Sequence, residues 1–134
     1  GALGRKLLLK VSDIMHTGDD LPSVSQNTRF ADALMEMTQK SMGMTAVVSP
    51  QGQLTGIYTD GDLRRSLDHS QDLLECHISE LMTHNPIQAQ ADMLAAQALQ
   101  IMQQHQINAL IVCDKNNLPV GAINMHDLLK AGVI

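Results

Sequence analysis

Gly56-Ile57-Tyr58-Thr59-Asp60-Gly61-Asp62-Leu63-Arg64-Arg65 reads as an apolar strand that ends in a polar turn and opens a short helix. Further along, Gly121-Ala122-Ile123-Asn124-Met125-His126-Asp127-Leu128-Leu129 follows the same pattern. The two glycines are 121 − 56 = 65 residues apart, and the two aspartates 127 − 62 = 65. A spacing shared by two motif positions marks an internal repeat, and a repeat decides the fold before any single element is assigned.

Working back from the first motif, Met44 to Val48 is a strand, and Pro50-Gln51-Gly52 turns it into the hairpin partner of Leu54 to Tyr58. Before it lies a helix with Phe30, Ala33, Leu34, Met37 and Met42 near helical periodicity. Asn27 or Thr28 is expected to cap that helix and Gly43 to stop it. Leu21 to Val24 reads as a short extended piece, after a first apolar segment Val11-Ser12-Asp13-Ile14-Met15.

The second motif has the same surroundings. Ile78-Ser79-Glu80-Leu81-Met82 parallels the first segment, and Asn85-Pro86-Ile87 the extended piece. A helix follows, with Leu94, Ala95, Ala98, Leu99 and Met102 on one face and Asp92 near its start. Ala109 to Val112 and Val120 to Asn124 are strands, and a closing helix from His126 to Ala131 stops at Gly132.

The chain therefore divides into repeat 1 over 11–67, a polar connector over 68–77 and repeat 2 over 78–134. Residues 1–10 are expected to be the end of a linker from an upstream domain. Each repeat runs strand, helix, strand, strand, helix. One copy alone leaves a sheet face uncovered. Two copies packed sheet to sheet about a pseudo-twofold axis cover each other, an α/β (α+β) architecture with two quasi-equivalent clefts between the copies.

Composition narrows the function. The chain has 134 residues and is 44% hydrophobic, but holds one Tyr and one Phe, so its core is Leu, Ile, Val, Met and Ala. Nine methionines make that core adaptable. Stacking platforms for bases are missing, and a formal net charge of -5 disfavours a nucleic-acid partner. No apolar run approaches the length of a membrane span, and the first ten residues do not form a signal peptide. Cys76 and Cys113 lack metal-ligand spacing and read as free thiols, which fits a reducing, cytoplasmic setting.

The chemistry concentrates at the motif. A loop entering a helix presents free N–H groups, Thr59 adds a hydroxyl, Gly61 permits close approach, and Asp60 and Asp62 offer carboxylates to a ribose. The same residues equally suit an ordinary helix N-cap. Asn124 and Asp127 hold the corresponding places in repeat 2. Met15, His16 and Thr17, and Met82, Thr83 and His84, follow the first segment of each repeat. Met44 and Thr45 open a strand beside the motif. These are candidates for a base floor and base edge, or plain core and loop. His16, His84 and His126 lack zinc-site spacing, so no metal is expected. Arg64 and Arg65 suit an anionic ligand, a neighbouring subunit, or simply solvent. No nucleophile elbow, paired-carboxylate motif or P-loop is present, so no catalytic site is expected in this chain.

The motif Gly56…Thr59…Asp62, with its copy Gly121…Asn124…Asp127, resembles the cystathionine β-synthase (CBS) domain, and the tandem resembles a CBS pair over residues 11–131. Repeat 2 departs from the pattern at Asn124, where the family has Thr or Ser. The resemblance implies a regulatory nucleotide in the inter-repeat cleft, held by Thr59, Asp60 and Asp62, with Asn124 and Asp127 their counterparts. Asp13-Ile14-Met15-His16-Thr17-Gly18, Thr59 to Arg65 and Met125 to Val133 are further similar to the C-terminal part of bacterial D-arabinose 5-phosphate isomerases. In that family a sugar isomerase (SIS) domain precedes the CBS pair. It interconverts D-ribulose 5-phosphate and D-arabinose 5-phosphate on the way to Kdo, the acidic sugar of lipopolysaccharide.

That resemblance implies no required cofactor, and an effector that is CMP-Kdo or an adenine nucleotide (AMP or ATP). The expected partners are the upstream SIS domain and a second CBS pair, as a homodimer inside a tetrameric enzyme, with no nucleic acid and no membrane. Two alternatives stay open at this point: a CBS pair that serves mainly as an oligomerisation platform, and one that belongs to an unrelated parent.

Overall fold

The computed structural model describes Gly4, residues 7–68 and residues 72–134. The rest of the leading stretch through Lys6, and residues 69–71 of the expected connector, lie outside the described residues. The chain forms two compact units, Asp19–Pro86 and Gly1–Gly18 with Ile87–Ile134. The units are offset from the sequence repeats. Residues 78–86, which begin the second repeat, belong to the first repeat's unit, and residues 11–18 belong to the second's.

In the unit Asp19–Pro86, β1 (Ser23–Ser25) runs parallel to β2 (Met44–Val48), which pairs antiparallel with β3 (Leu54–Thr59). β3 pairs antiparallel with the short β4 (Thr83–His84), giving the order β1-β2-β3-β4. The helix from Phe30 to Lys40 lies between β1 and β2, and a helix from Asp60 to Ser66 follows β3. In the other unit, β5 (Gln88–Ala89) is parallel to β6 (Ala109–Cys113), which is antiparallel to β7 (Pro119–Asn124). In chain order, the helices are α1 (Val11–Ile14), α2 (Phe30–Lys40), α3 (Asp60–Ser66), α4 (Ala95–His105) and α5 (Met125–Lys130).

Each unit closes its own core. Phe30, Ala33, Met37, Val47, Tyr58, Ile78 and Met82 pack together in one. Both aromatic side chains of the protein meet there, edge to face, with ring centroids 6.4 Å apart. Val11, Ala89, Ala95, Ala98, Met102, Leu110, Val112, Ile123 and Leu128 fill the other. Ile78 and Val11, the first apolar residues of the two parallel segments, are each fully buried.

Several boundaries differ from expectation. The first apolar segment forms a short helix over Val11–Ile14. The extended pieces fall later than expected, at Ser23–Ser25 and Gln88–Ala89. Neither Asn27 nor Thr28 caps α2: the cap position is Arg29, whose side chain makes no capping bond. Backbone does that work instead, for the Phe30 N–H donates to the Cys76 carbonyl at 3.0 Å. In α4 the Ala95 N–H donates likewise to the Leu9 carbonyl at 2.8 Å, so the helix starts beyond Asp92. Gly43 does not terminate α2; Ser41 takes the left-handed position, at φ 57°. Gly43 is also left-handed, at φ 73°, in the link to β2.

Candidate functional site

The polar turn between β3 and α3 forms as a reciprocal cap. The Thr59 hydroxyl accepts the Asp62 N–H at 3.2 Å, and the Asp62 carboxylate accepts the Thr59 N–H at 3.0 Å. The Thr59 hydroxyl also donates to Asp62 Oδ2 at 3.1 Å. The other oxygen, Oδ1, accepts from Arg65 at 2.7 Å and from the Thr83 hydroxyl at 2.9 Å. A carboxylate offers about four lone-pair positions. Asp62 is buried, 6% exposed, with four donors in place. The Arg65 side chain is 70% exposed, so this ion pair is readily exchanged with solvent.

Behind the turn, the Ser66 hydroxyl donates to the Asp62 carbonyl at 2.8 Å and lies 2.9 Å from the Tyr58 hydroxyl. Burial raises the Tyr58 pKa above its usual 10.0; the Ser66 bond opposes that shift and the Asp62 charge reinforces it. Asp60 is exposed on the first turn of α3, and its backbone N–H donates to the Gly43 carbonyl at 3.0 Å.

The other unit repeats the design with different side chains. Asn124 accepts the Asp127 N–H at 2.9 Å, and Asp127 Oδ2 accepts the Asn124 N–H at 2.9 Å. Asn124 thus keeps the cap that Thr59 supplies in the first motif. Asp127 Oδ1 meets His16 Nε2 at 2.8 Å. His16 stands where Thr83 stands in the other unit, and its backbone pairs with Ala122 in both directions, at 2.8 and 3.0 Å.

The motif glycines have a role that no ligand chemistry suggested. A Cβ on Gly56 would lie 2.8 Å from Met82 Cγ, and one on Gly121 would lie 2.5 Å from Met15 Sδ. Each glycine is the seat of a methionine from the segment that carries Thr83 or His16. The pairing of Gly with Met becomes visible only when 82 is read against 56 and 15 against 121.

Of the expected site residues, Thr59, Asp60, Asp62 and Thr83 come together in one unit, and Met15, His16, Asn124 and Asp127 in the other. Met44 and Thr45 open β2 as expected, but both are fully buried, and the Thr45 hydroxyl donates to the Ala46 carbonyl at 3.0 Å. Arg65, read as solvated or ligand-facing, holds Asp62. Tyr58 and Ser66 are not singled out in the sequence; only the four-residue helical reach from Asp62 to Ser66 is readable there. Among the described residues no cluster of three His, Cys, Asp or Glu side chains is placed to hold a metal. No helix among them is long and apolar enough to cross a membrane.

The sequence profile of the CBS domain matches residues 11–69 and again residues 78–134. The chain belongs to the CBS domain family. This CBS pair is 54% identical to an arabinose 5-phosphate isomerase KdsD of Pseudomonas aeruginosa, over the whole of this chain and 41% of that protein. It is 48% identical to the KdsD of Salmonella typhi and 46% to that of Escherichia coli K12, in each case over all of this chain and 40% of the relative. The CBS pair therefore spans about two fifths of the length of these curated relatives.

Solved structures share its fold. The CBS domain pair of protein MJ0100, in complex with 5'-methylthioadenosine and S-adenosyl-L-methionine, superposes with a TM-score of 0.82 at 23% identity, over 92% of this chain and 94% of that one. CBSX2 in complex with AMP gives a TM-score of 0.81 at 20% identity, over 93% and 97%. The architecture is thus a mixed α/β CBS-pair fold, with two sheets and the helices α1 to α5 among the described residues.

Proposed function

We propose that this CBS pair is the ligand-sensing part of an arabinose 5-phosphate isomerase, and that its ligand is a nucleotide or nucleotide sugar. The observation that carries the first half is the 54% identity across every residue of the chain to a KdsD isomerase. A relationship of that strength, with the repeat order intact, supports carrying over the role of the pair as well as its fold. In this reading an upstream SIS domain interconverts D-ribulose 5-phosphate and D-arabinose 5-phosphate, and the CBS pair biases it.

The ligand half rests on chemistry. Thr59, Asp60, Asp62 and Thr83 bring hydroxyls and carboxylates to one turn, and in the other unit Met15, His16, Asn124 and Asp127 bring a thioether, an imidazole, an amide and a carboxylate, groups suited to reading a ribose, a phosphate or a base. Met44 and Thr45, expected in the lining, are fully buried and are left out of it. Two proteins of the same fold bind adenosine compounds, AMP in one and 5'-methylthioadenosine with S-adenosyl-L-methionine in the other. CMP-Kdo, the activated product of the pathway, carries a ribose and a phosphate too, and feedback by it is the economical regulation. An effector acts only if it favours one state of the enzyme, and such couplings are typically about 1–3 kcal/mol.

The test is the isomerase rate of the full-length protein with CMP-Kdo, AMP or ATP present, against the same protein lacking the CBS pair. The expected result is a rate change of severalfold with one of these, abolished by the deletion. An unchanged rate with all three removes the sensing role.

A second reading has its own observation. α4 contains no Asp, Glu, Lys or Arg, and it exposes Ala96, Gln97, Gln100, Gln103 and Gln104. On α2, Met35 is 58% exposed. Depletion of charge marks the cores of protein interfaces. These faces support a homodimer of CBS pairs that holds SIS domains in a tetramer. Sedimentation of the full-length protein and of a CBS-deleted form separates this from sensing: a platform is required for assembly and indifferent to nucleotide.

A further inference from the structure

Neither Arg29 nor Leu94 caps its long helix with a side chain, and the same kind of segment closes both helix starts. In the unit that holds α4, the Leu9 carbonyl accepts the Ala95 N–H at 2.8 Å. The Val11 N–H donates to the Met93 carbonyl at 2.8 Å and the Ser12 N–H to the Ala91 carbonyl at 2.9 Å, with Lys10 paired to Leu94 between them. In the unit that holds α2, the Cys76 carbonyl accepts the Phe30 N–H at 3.0 Å, and the Ile78 and Ser79 N–H groups donate to the Thr28 and Gln26 carbonyls at 2.7 and 3.3 Å. There His77 pairs with Arg29. Residues 9–12 and 76–79 are thus equivalent clasps. Each ties the chain arriving at a repeat to the start of a long helix. The first clasp is packed as well as bonded, for Val11 is fully buried and Leu9 lies against the same core.

We infer that residues 7–12 are a stiff coupling arm, fixed to α4 through Leu9–Ser12, whose Leu7 and Leu8 side chains dock on the domain that precedes them. The inference rests on the reading above that an isomerase domain precedes the CBS pair. Three observations carry it. Leu7 and Leu8 are helical up to the residue that opens the clasp, and residues 5–17 contain neither Gly nor Pro, so the stretch lacks the composition of a loose tether. Both leucines stand out from their own unit, at 59% and 73% exposed. The second clasp supplies the comparison. Counting back from Cys76 as from Leu9, 76 − 9 = 67, Leu74 and Glu75 hold the places of Leu7 and Leu8. The internal connector thus has a carboxylate in water where the arm has its more exposed leucine.

An effector biases an attached domain only if that domain's states differ in their contacts with the sensor. A docked arm provides such contacts, whereas a flexible tether sets only an effective concentration. The arm is therefore the part of the CBS pair that the isomerase domain touches.

The experiment places Leu8→Cys in this chain and in the full-length protein and follows alkylation by a water-soluble maleimide; Cys76 and Cys113 are buried and supply the slow background. Alkylation at position 8 is expected to be tenfold or more slower in the full-length protein. Equal rates overturn the docking. Slowing already present in this chain, and growing with its concentration, assigns the leucines to a second copy and overturns it too. Backbone order parameters at Leu9–Ser12 are expected to match those of α4, about 0.85, and values below about 0.6 overturn the clasp as a stiff anchor. Gly-Ser-Gly inserted between Leu8 and Leu9 of the full-length protein is expected to keep the basal isomerase rate and to abolish the severalfold response to CMP-Kdo, AMP or ATP. A response that survives the insertion overturns the coupling. A wild type without any response removes the sensing reading instead, and the alkylation and relaxation results then decide the arm by themselves.

Discussion

Met82 lies against the α-carbon of Gly56, so closely that a Cβ on the glycine would stand 2.8 Å from Met82 Cγ. The contact explains why the motif needs glycine in the middle of a buried strand, where glycine is otherwise unfavourable. It also ties the motif to a residue 82 − 56 = 26 positions away that the sequence assigns to the next repeat.

Gly56→Ala is therefore expected to destabilise the protein by about 1–3 kcal/mol through overpacking. Combined with Met82→Ala, the cost is expected to be less than the sum of the two single changes, by about 1 kcal/mol. Urea unfolding of the four proteins of this cycle gives the coupling directly. Strict additivity would show that the methionine does not set the size limit at position 56.

Asp62 and Arg65 are expected to separate in energy although they are bonded to each other. Asp62→Asn replaces an acceptor by a donor against the Thr59 N–H or the Arg65 and Thr83 donors, and is expected to cost about 1–3 kcal/mol. Arg65→Ala removes an ion pair whose cationic side chain is 70% exposed, and is expected to cost less than about 1 kcal/mol. Thermal denaturation at low salt checks both. Equal losses would mean that the pair, rather than the cap, holds the turn.

The left-handed residues at the ends of the two long helices offer a gain. Ser41 and Gln106, at φ 57° and 55°, are exposed and strained there. Gln106→Gly and Ser41→Gly are each expected to stabilise by about 0.5–1 kcal/mol. A lower melting temperature for either would place a side-chain contribution at the cap that outweighs the strain.

The pH response follows from three groups. Burial, with the Asp114 charge beside it, pushes the Cys113 thiol from 9.0 up to about 11. Tyr58 moves upward as well. The native state holds these protons more tightly than the unfolded chain, so their contribution is complete below pH 9 and is lost as pH rises toward 11. Glu36 behaves oppositely. Burial raises it, but bonds from Lys40 and the Ser23 N–H and the Lys40 charge outweigh that and hold it below 4.5. Its contribution is present above pH 4.5 and is lost as the pH falls through the lowered value. Denaturant midpoints across pH 3 to 11 are expected to fall at both ends, and Cys113 to resist alkylation at neutral pH until the protein unfolds.

The repeat, the hairpins and the paired turns were legible because 56 and 62 recur at one spacing in 121 and 127, and local capping chemistry fixes the turn. The boundary between the two compact units, offset from the repeats, was not. Whether Ile78–His84 packs with the strands before it or after it depends on tertiary pairing, such as Ile57 with Thr83, and leaves no periodic trace. The helix starts differ from expectation for the same reason: the Phe30 and Ala95 N–H groups donate to the carbonyls of Cys76 and Leu9, distant backbone that leaves no local trace. Thr59 and Asp62 could be read as cap or as ligand site, and in the structure they form a complete cap.

The measurement that bears most directly on the account is calorimetric titration of the protein with AMP, CMP and CMP-Kdo, repeated on Asp62→Asn after confirming that the variant is folded. Saturable binding of at least one nucleotide, weakened tenfold or more in Asp62→Asn, is the predicted result. No heat of binding from any of the three, or binding that Asp62→Asn leaves untouched, would contradict the assignment of this turn as the nucleotide site.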